Sequence, residues 1–278
     1  MILIDRLAGL IPFWLIIPFV VKLSSCLTLP IEIEGDVAKK NRAIERDQVA
    51  LIVNYLNKGL PHTALKELRP TLIEKPHHFD LNNLMGITQL ALKNPEKAGR
   101  YFLRAAEIKP SVSVLLNLSS AYLQAKKNVK AIRLLKKLIN SKEFTKYLYP
   151  ERVYHNLGLA FEGMENDTEA EKYYLIATSE NPVFYQTLMK LARFYRHKNP
   201  LKSLEYLEKS QMTCTHCWDP IYLLSQTLYR RNKAEEAEKY LLKFLEQKNI
   251  SEANRSKALK QLSIVQSFQP RRQRLKKY

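Results

Sequence analysis

Residues 86–110, GITQLALKNPEKAGRYFLRAAEIKP, and residues 158–182, GLAFEGMENDTEAEKYYLIATSENP, share one frame. Gly86 and Gly158 open it, Ala98 and Ala170 follow twelve residues later, then come Phe102 and Tyr174, Ala105 and Ala177, and finally Pro110 and Pro182. Two antiparallel helices cross closely only where side-chain bulk is absent, so a small residue marks the crossing and an aromatic or Leu fills the space beside it. Proline ends the second helix because it lacks an N–H donor and clashes with the preceding turn. Ala64 to Pro76 repeats the interval from small residue to proline, and Ala64 stands thirty-four residues before Ala98.

Weaker copies fill the series. The first runs through Ile52, Tyr55, Ala64, Leu68, Thr71 and Pro76, and the third through Ser119, Tyr122, Ala131, Leu135 and Leu138, without a closing proline. The fifth, with Ala192, Tyr195, Ser203 and Leu207, is one residue short in its turn, and the sixth runs through Ser225, Leu228, Ala237, Leu241 and Phe244. A helix pair recurring every thirty-four residues resembles the tetratricopeptide repeat. The implied fold is all-α: a right-handed α-solenoid of about six repeats over residues 45–250, with a small insertion around Ser141 to Tyr149. Residues 251–267 are expected to form a C-terminal capping helix, started by Ser251 and presenting Ala258, Leu262 and Val265 as one apolar stripe. With 278 residues, only 7 Gly and no alternating β-type runs, one elongated array is expected rather than several globular domains.

The formal net charge is +18. Nucleic acid, an anionic membrane or envelope polymer, and an acidic protein partner would each suit such a balance. The excess is scattered, as at Lys126, Lys127, Lys130, Arg133, Lys136 and Lys137, and the tail at 268–278 adds Arg271, Arg272, Arg274, Lys276 and Lys277. No RNA-recognition motif with stacking aromatics, zinc finger or helix-turn-helix pattern occurs, and nucleic acid is not expected as a partner.

Residues 1–25 set the expected location. An apolar run from Leu7 to Val21 carries Pro12 and Pro18, is short for a membrane-spanning helix, and reads as the hydrophobic region of a secretory signal. Leu23-Ser24-Ser25-Cys26 resembles the lipobox of bacterial lipoproteins, which implies cleavage before Cys26 and lipidation of its thiol. The alternative is an uncleaved anchor at the same surface. Leu27 stands where enteric inner-membrane lipoproteins carry Asp, so the resemblance points to the periplasmic face of the outer membrane, with inner-membrane anchoring as the alternative. Residues 26–44 would form a tether.

An oxidising compartment bears on Cys214-Thr-His-Cys217. Its spacing admits a disulfide, a thioredoxin-like pair, half a zinc site or haem attachment. Haem attachment needs His after the second Cys, where Trp218 stands, and redox catalysis needs a strand before a helix start, whereas this pair falls between repeats. Zinc would need further ligands, for which His216 and His197 are the candidates. A structural disulfide at a junction without its proline is the reading taken, and no metal or cofactor is expected. The phosphate-binding loop, His-Glu-x-x-His and Gly-x-Ser-x-Gly are absent, so no enzymatic activity is expected.

First helices line the groove of such an array. Positions offset from the packing register are Val49, Val53 and Leu56; Asn83, Ile87 and Leu90; Leu116, Ser120 and Leu123; His155 and Leu159; Met189, Arg193 and Arg196; and Tyr222, Gln226 and Tyr229. The early part is apolar, suiting an amphipathic helix or apolar segment, and the later part is basic and aromatic. Leu90 and Leu123 are expected to project into the groove outside the packing register. Val49 and Val53 occupy places where a two-carboxylate clamp would need polar or basic residues, which argues against an acidic chaperone tail.

A lipobox followed by six such repeats resembles the type IV pilus pilotin lipoproteins, and Tyr149-Pro150-Glu151-Arg152 with Asn156-Leu157-Gly158-Leu159 is similar to the corresponding stretch of that family. The resemblance implies a non-catalytic protein that binds secretin subunits and promotes their outer-membrane assembly. A general periplasmic adaptor for another envelope or secretion complex is the alternative. A thiol-dependent enzyme or chaperone using Cys214 and Cys217 is the third hypothesis.

Overall fold

A computed structural model describes residues 41–267, which form thirteen α-helices, one short 3-10 turn and no strand. Residues 1–40, including Cys26, and the basic tail at 268–278 lie outside the described residues. The helices are α1 (Asn41–Asn57), α2 (Pro61–Glu74), α3 (Phe79–Ala91), α4 (Pro95–Ile108), α5 (Val112–Gln124), α6 (Asn128–Ile139), α7 (Pro150–Glu162), α8 (Asp167–Glu180), α9 (Tyr185–Lys198), α10 (Pro200–Thr213), α11 (Trp218–Arg230), α12 (Ala234–Leu245) and α13 (Glu252–Ser267). The 3-10 turn Phe144–Lys146 occupies the insertion. Helix α1 begins inside the expected tether, in a stretch, residues 36–58, that contains neither Gly nor Pro.

The chain divides between Pro110 and Ser111 into two compact units, the first with α1 to α4 and the second with α5 to α13. In each, consecutive helices pair antiparallel, as at α3 with α4 and α7 with α8. The shared sequence frame supplies the crossings. A Cβ on Gly86 would lie 2.6 Å from Cδ1 of Phe102, and one on Gly158 would lie 2.5 Å from Cδ1 of Tyr174, against an ordinary carbon contact of about 3.5–4.0 Å. Phe102 and Tyr174 are both fully buried, as are Ala98, Ala105, Ala170 and Ala177.

The turns within the pairs also repeat. Gly59, Lys93, Lys126, Glu165 and Asn232 all have positive φ, and the following residue donates its N–H five residues back: Leu60 to Tyr55, Asn94 to Gln89, Lys127 to Tyr122, Asn166 to Phe161, and Lys233 to Leu228. These are Schellman closures, which satisfy carbonyls at the helix end by one left-handed residue. The fifth pair lacks that residue. There Asn199 both ends α9 and starts α10, its Oδ1 accepting from the Lys202 N–H at 3.1 Å. The missing residue in the fifth sequence copy is therefore this left-handed one.

Helix α13 closes the second unit. The Ser251 hydroxyl accepts from the Asn254 N–H at 3.2 Å, and Ala258, Leu262 and Val265 are buried in one cluster with Leu241 and Phe244 of α12. The second unit's other cluster joins Leu135, Val153, Leu157, Tyr174 and Leu191 across successive pairs.

Candidate functional site

In the second unit the first helices α5, α7, α9 and α11 are joined in sequence by side chains. The Asn156 amide donates to Ser119 Oγ at 2.9 Å and Ser120 Oγ at 3.1 Å, tying α7 to α5. His155 Nδ1 lies 2.9 Å from Thr187 Oγ1, tying α7 to α9. Lys190 pairs with Glu162 at 3.1 Å, and the Arg196 guanidinium donates to Gln226 Oε1 at 3.0 Å, tying α9 to α11.

This arrangement separates the expected groove residues into covered and accessible ones. Leu116, Ser120, His155 and Met189 are buried, whereas Leu123, Leu159, Arg196, Gln226 and Tyr229 are half-buried and Arg193 and Tyr222 exposed. His155, read from the sequence as groove-lining, is only 8% exposed, with its ring against Phe184 and Tyr174. The imidazole is pushed down to about 3, first by burial and then by the Lys190 charge, so it is neutral near pH 7. The physical reason is that α5, α7 and α9 each lie beside the next first helix, which covers the row three residues before the small crossing residue at Leu116, His155 and Met189. The row four residues after it stays accessible from α5 to α11, as does the row one after it except at the buried Ser120, and Tyr222 of α11 is exposed although it lies three residues before.

The accessible side chains change character along α5 to α11. Leu123 and Leu159 give way to Arg193 and Arg196, then to Tyr222, Gln226 and Tyr229. Glu162 occupies the place in α7 that Leu123 holds in α5, and its pairing with Lys190 puts a carboxylate on a face whose sequence reading named no acid. The Glu162 carboxylate also accepts from the Tyr174 hydroxyl. The repeat register alone would have located Glu162, had polar residues been read at that row.

In the first unit Val53 and Leu56 of α1 are half-buried, but Val49, Asn83, Ile87 and Leu90 are buried. Leu90 is 2% exposed, and Leu81 to Leu90 are buried without a break. The expectation that Leu90 lies outside the packing register is therefore corrected: α3 packs against α1, α2 and α4, which leaves it no open apolar stripe.

Cys214 and Cys217 are joined by a disulfide, with Cα atoms 5.3 Å apart. Cys214 caps the end of α10 by donating its N–H to Ser210, and Cys217 caps the start of α11, so the bond clips one pair to the next where Pro76, Pro110 or Pro182 stands elsewhere. His216 Nε2 lies 3.7 Å from Cys214 Sγ, and Cys214, His216 and Cys217 hold their donor atoms within 4.8 Å of one another. With both sulfurs bonded to each other, neither offers the thiolate that zinc requires. The other zinc candidate, His197, is exposed in the last turn of α9.

The paired helices, their crossings and their turns define a tetratricopeptide-repeat fold. A sequence model of the tetratricopeptide repeat matches residues 151–184, which are α7, α8 and the turn beyond. Among solved structures, one described as the functional characterization of Pseudomonas aeruginosa pilF is similar at a TM-score of 0.59 and 19% identity, over 78% of this chain and 98% of that one. The structure of PilW, described as a widely conserved type IV pilus biogenesis factor, is similar at a TM-score of 0.62 and 18% identity, again over 78% and 98%. The Cut9-Hcn1 hetero-tetramer of the APC/C is similar at a TM-score of 0.60 and 13% identity, over 81% of this chain but 44% of that one. At these identities the likeness shows the fold. No curated protein matches the sequence.

Proposed function

We propose that this protein is a non-catalytic envelope scaffold that binds secretin subunits and promotes their outer-membrane assembly for type IV pilus biogenesis. The observation that carries the reading is extent: the similarity takes in 98% of both the PilF and the PilW chains, so nothing substantial of either lacks a counterpart here. The Leu23-Ser24-Ser25-Cys26 motif adds a means of holding the repeats at the membrane, through a lipid on Cys26, with the repeats on the periplasmic side. The partner's place is the accessible face of α5, α7 and α9, where Leu123 and Leu159 offer apolar contact and Arg193 and Arg196 offer charge. An amphipathic segment carrying a carboxylate beyond its apolar stripe fits that order.

The test is affinity capture from crosslinked membranes followed by mass spectrometry, on the wild type and on Leu123→Asp with Arg193→Glu. A charge at Leu123 costs about 2 kcal/mol or more if that surface is desolvated on binding. Secretin peptides recovered with the wild type and lost with the variant, at unchanged helical circular dichroism, support the reading. Unchanged recovery removes this face from it, and recovery of a different envelope complex favours the general adaptor. In the same cells Cys26→Ser should abolish fatty-acid labelling; retained labelling excludes the lipid anchor.

A further inference from the structure

The first unit carries a cleft lined by residues of α2, α3 and α4. Arg69 of α2 and Lys97, Arg100 and Arg104 of α4 line one cleft of about 240 Å³, together with Tyr101 and the α3 residue Gln89. Lys97, Arg100 and Arg104 are spaced three and four apart, so they share one face of α4. Like charges at that spacing destabilise a bare helix. In the second unit comparable lysines are matched by acids on their own helix or at its start, as in Glu169 with Lys172, Glu205 with Lys209, and Lys233 with Glu236. No carboxylate lines the cleft, and none of its four cations forms a salt bridge among the described residues. Leu65 and Met85 complete the lining, and Gln89 is its buried polar group. Gln89 is 7% exposed, its Oε1 accepts from Asn94 at 3.2 Å, and its Nε2 reaches only the Met85 thioether at 3.7 Å, a weak acceptor. A nearly buried amide donor thus shares the cleft with four cations.

We propose that this cleft binds a compact diphosphate group. Three of the four cations are guanidiniums, whose forked donors match phosphoryl oxygens two at a time. One phosphate would leave cations unmatched, and acidic side chains of a peptide would bring one charge each on separate stems. A diphosphate concentrates several negative charges in a few atoms, in a cleft with room for more than a single water-sized group. The diphosphate can belong to a soluble molecule or to a lipid headgroup, and the cleft's chemistry is the same for both. This inference does not rest on the pilus reading.

The test titrates inorganic pyrophosphate into the full-length protein by calorimetry, and separately sediments the protein with phosphatidylcholine vesicles carrying a polyprenyl diphosphate. Pyrophosphate should bind, and Arg100→Gln with Arg104→Gln should weaken it by about tenfold or more, the scale of one charge-assisted hydrogen bond. Lys239→Gln with Lys248→Gln removes the same charge from exposed sites in the second unit and should leave binding unchanged. Vesicle binding that pyrophosphate displaces assigns a lipid headgroup, and pyrophosphate binding without it assigns a soluble ligand. Absence of pyrophosphate binding, equal weakening by both double variants, or tighter binding of hexaglutamate at the cleft would overturn the proposal.

Discussion

Replacing Gly158 by Ala sets two effects of known size against each other. Alanine is the better helix former by about 1 kcal/mol, so on local grounds alone the variant should be more stable. In the structure the new Cβ would stand 2.5 Å from Cδ1 and 3.0 Å from Cζ of Tyr174, roughly 1 Å inside an ordinary contact. The ring has little freedom to withdraw: Tyr174 is fully buried, lies beside the His155 ring at 5.8 Å, and has its hydroxyl held by Glu162. Overpacking of this kind costs about 1–3 kcal/mol, and near the upper end where backbone must move. The net expectation is a loss of about 1–2 kcal/mol, or a fall in Tm of about 2–8 °C for a domain of this size. Thermal and urea unfolding followed by helical circular dichroism measure it. The decisive comparison is a double-mutant cycle, because in a Tyr174→Leu background the clash is absent and Gly158→Ala should stabilise by up to about 1 kcal/mol. Should Gly158→Ala stabilise the wild type as well, the crossing is not set by ring against bare backbone and the packing argument fails. Gly86→Ala, facing Phe102, should carry the same sign.

Two further outcomes follow from buried and covalent groups. His155 is held neutral at about 3 in the native state by burial and by Lys190, against about 6.5 in an unfolded chain. Above about pH 6.5 neither state is protonated there; below it the unfolded state takes up a proton that the native state refuses, so stability falls as pH drops towards 3. Between pH 6.5 and 5 the loss is about 2 kcal/mol, and unfolding free energies at pH 7 and pH 5 should show that excess in the wild type over His155→Gln; equal pH dependence would refute it. For the Cys214–Cys217 bond, chain-entropy scaling for so short a loop gives about 2 kcal/mol lost on reduction. Alkylation of unreduced protein should leave both sulfurs unlabelled, and free labelling of both would reject the clip between α10 and α11.

The helix pairing was legible because its cause is local. A small residue, an aromatic at sixteen residues' distance and a closing proline encode a crossing wherever they recur, as Gly158, Tyr174 and Pro182 do, and the short fifth copy reflects the left-handed turn residue that its helix pair lacks. The disulfide, too, was suggested by two cysteines at a junction without proline. The accessible face was only partly legible. Helical period separates a packed stripe from its complement within one repeat, but it does not say which part of that complement the next repeat covers. His155 and Leu159 both read as groove residues four apart, yet α9 lies over the first and leaves the second half-open, and Leu90 vanished into an α3 buried along its length. The meeting of Arg69 with Lys97, Arg100 and Arg104 was out of reach for the same reason: residues some thirty apart converge only when α2 and α4 are set beside α3. Sequence determines what each helix needs to bury, because that is written every three or four residues. Which of the remaining side chains stay open to a partner or ligand is decided by neighbouring helices, and only tertiary structure contains them.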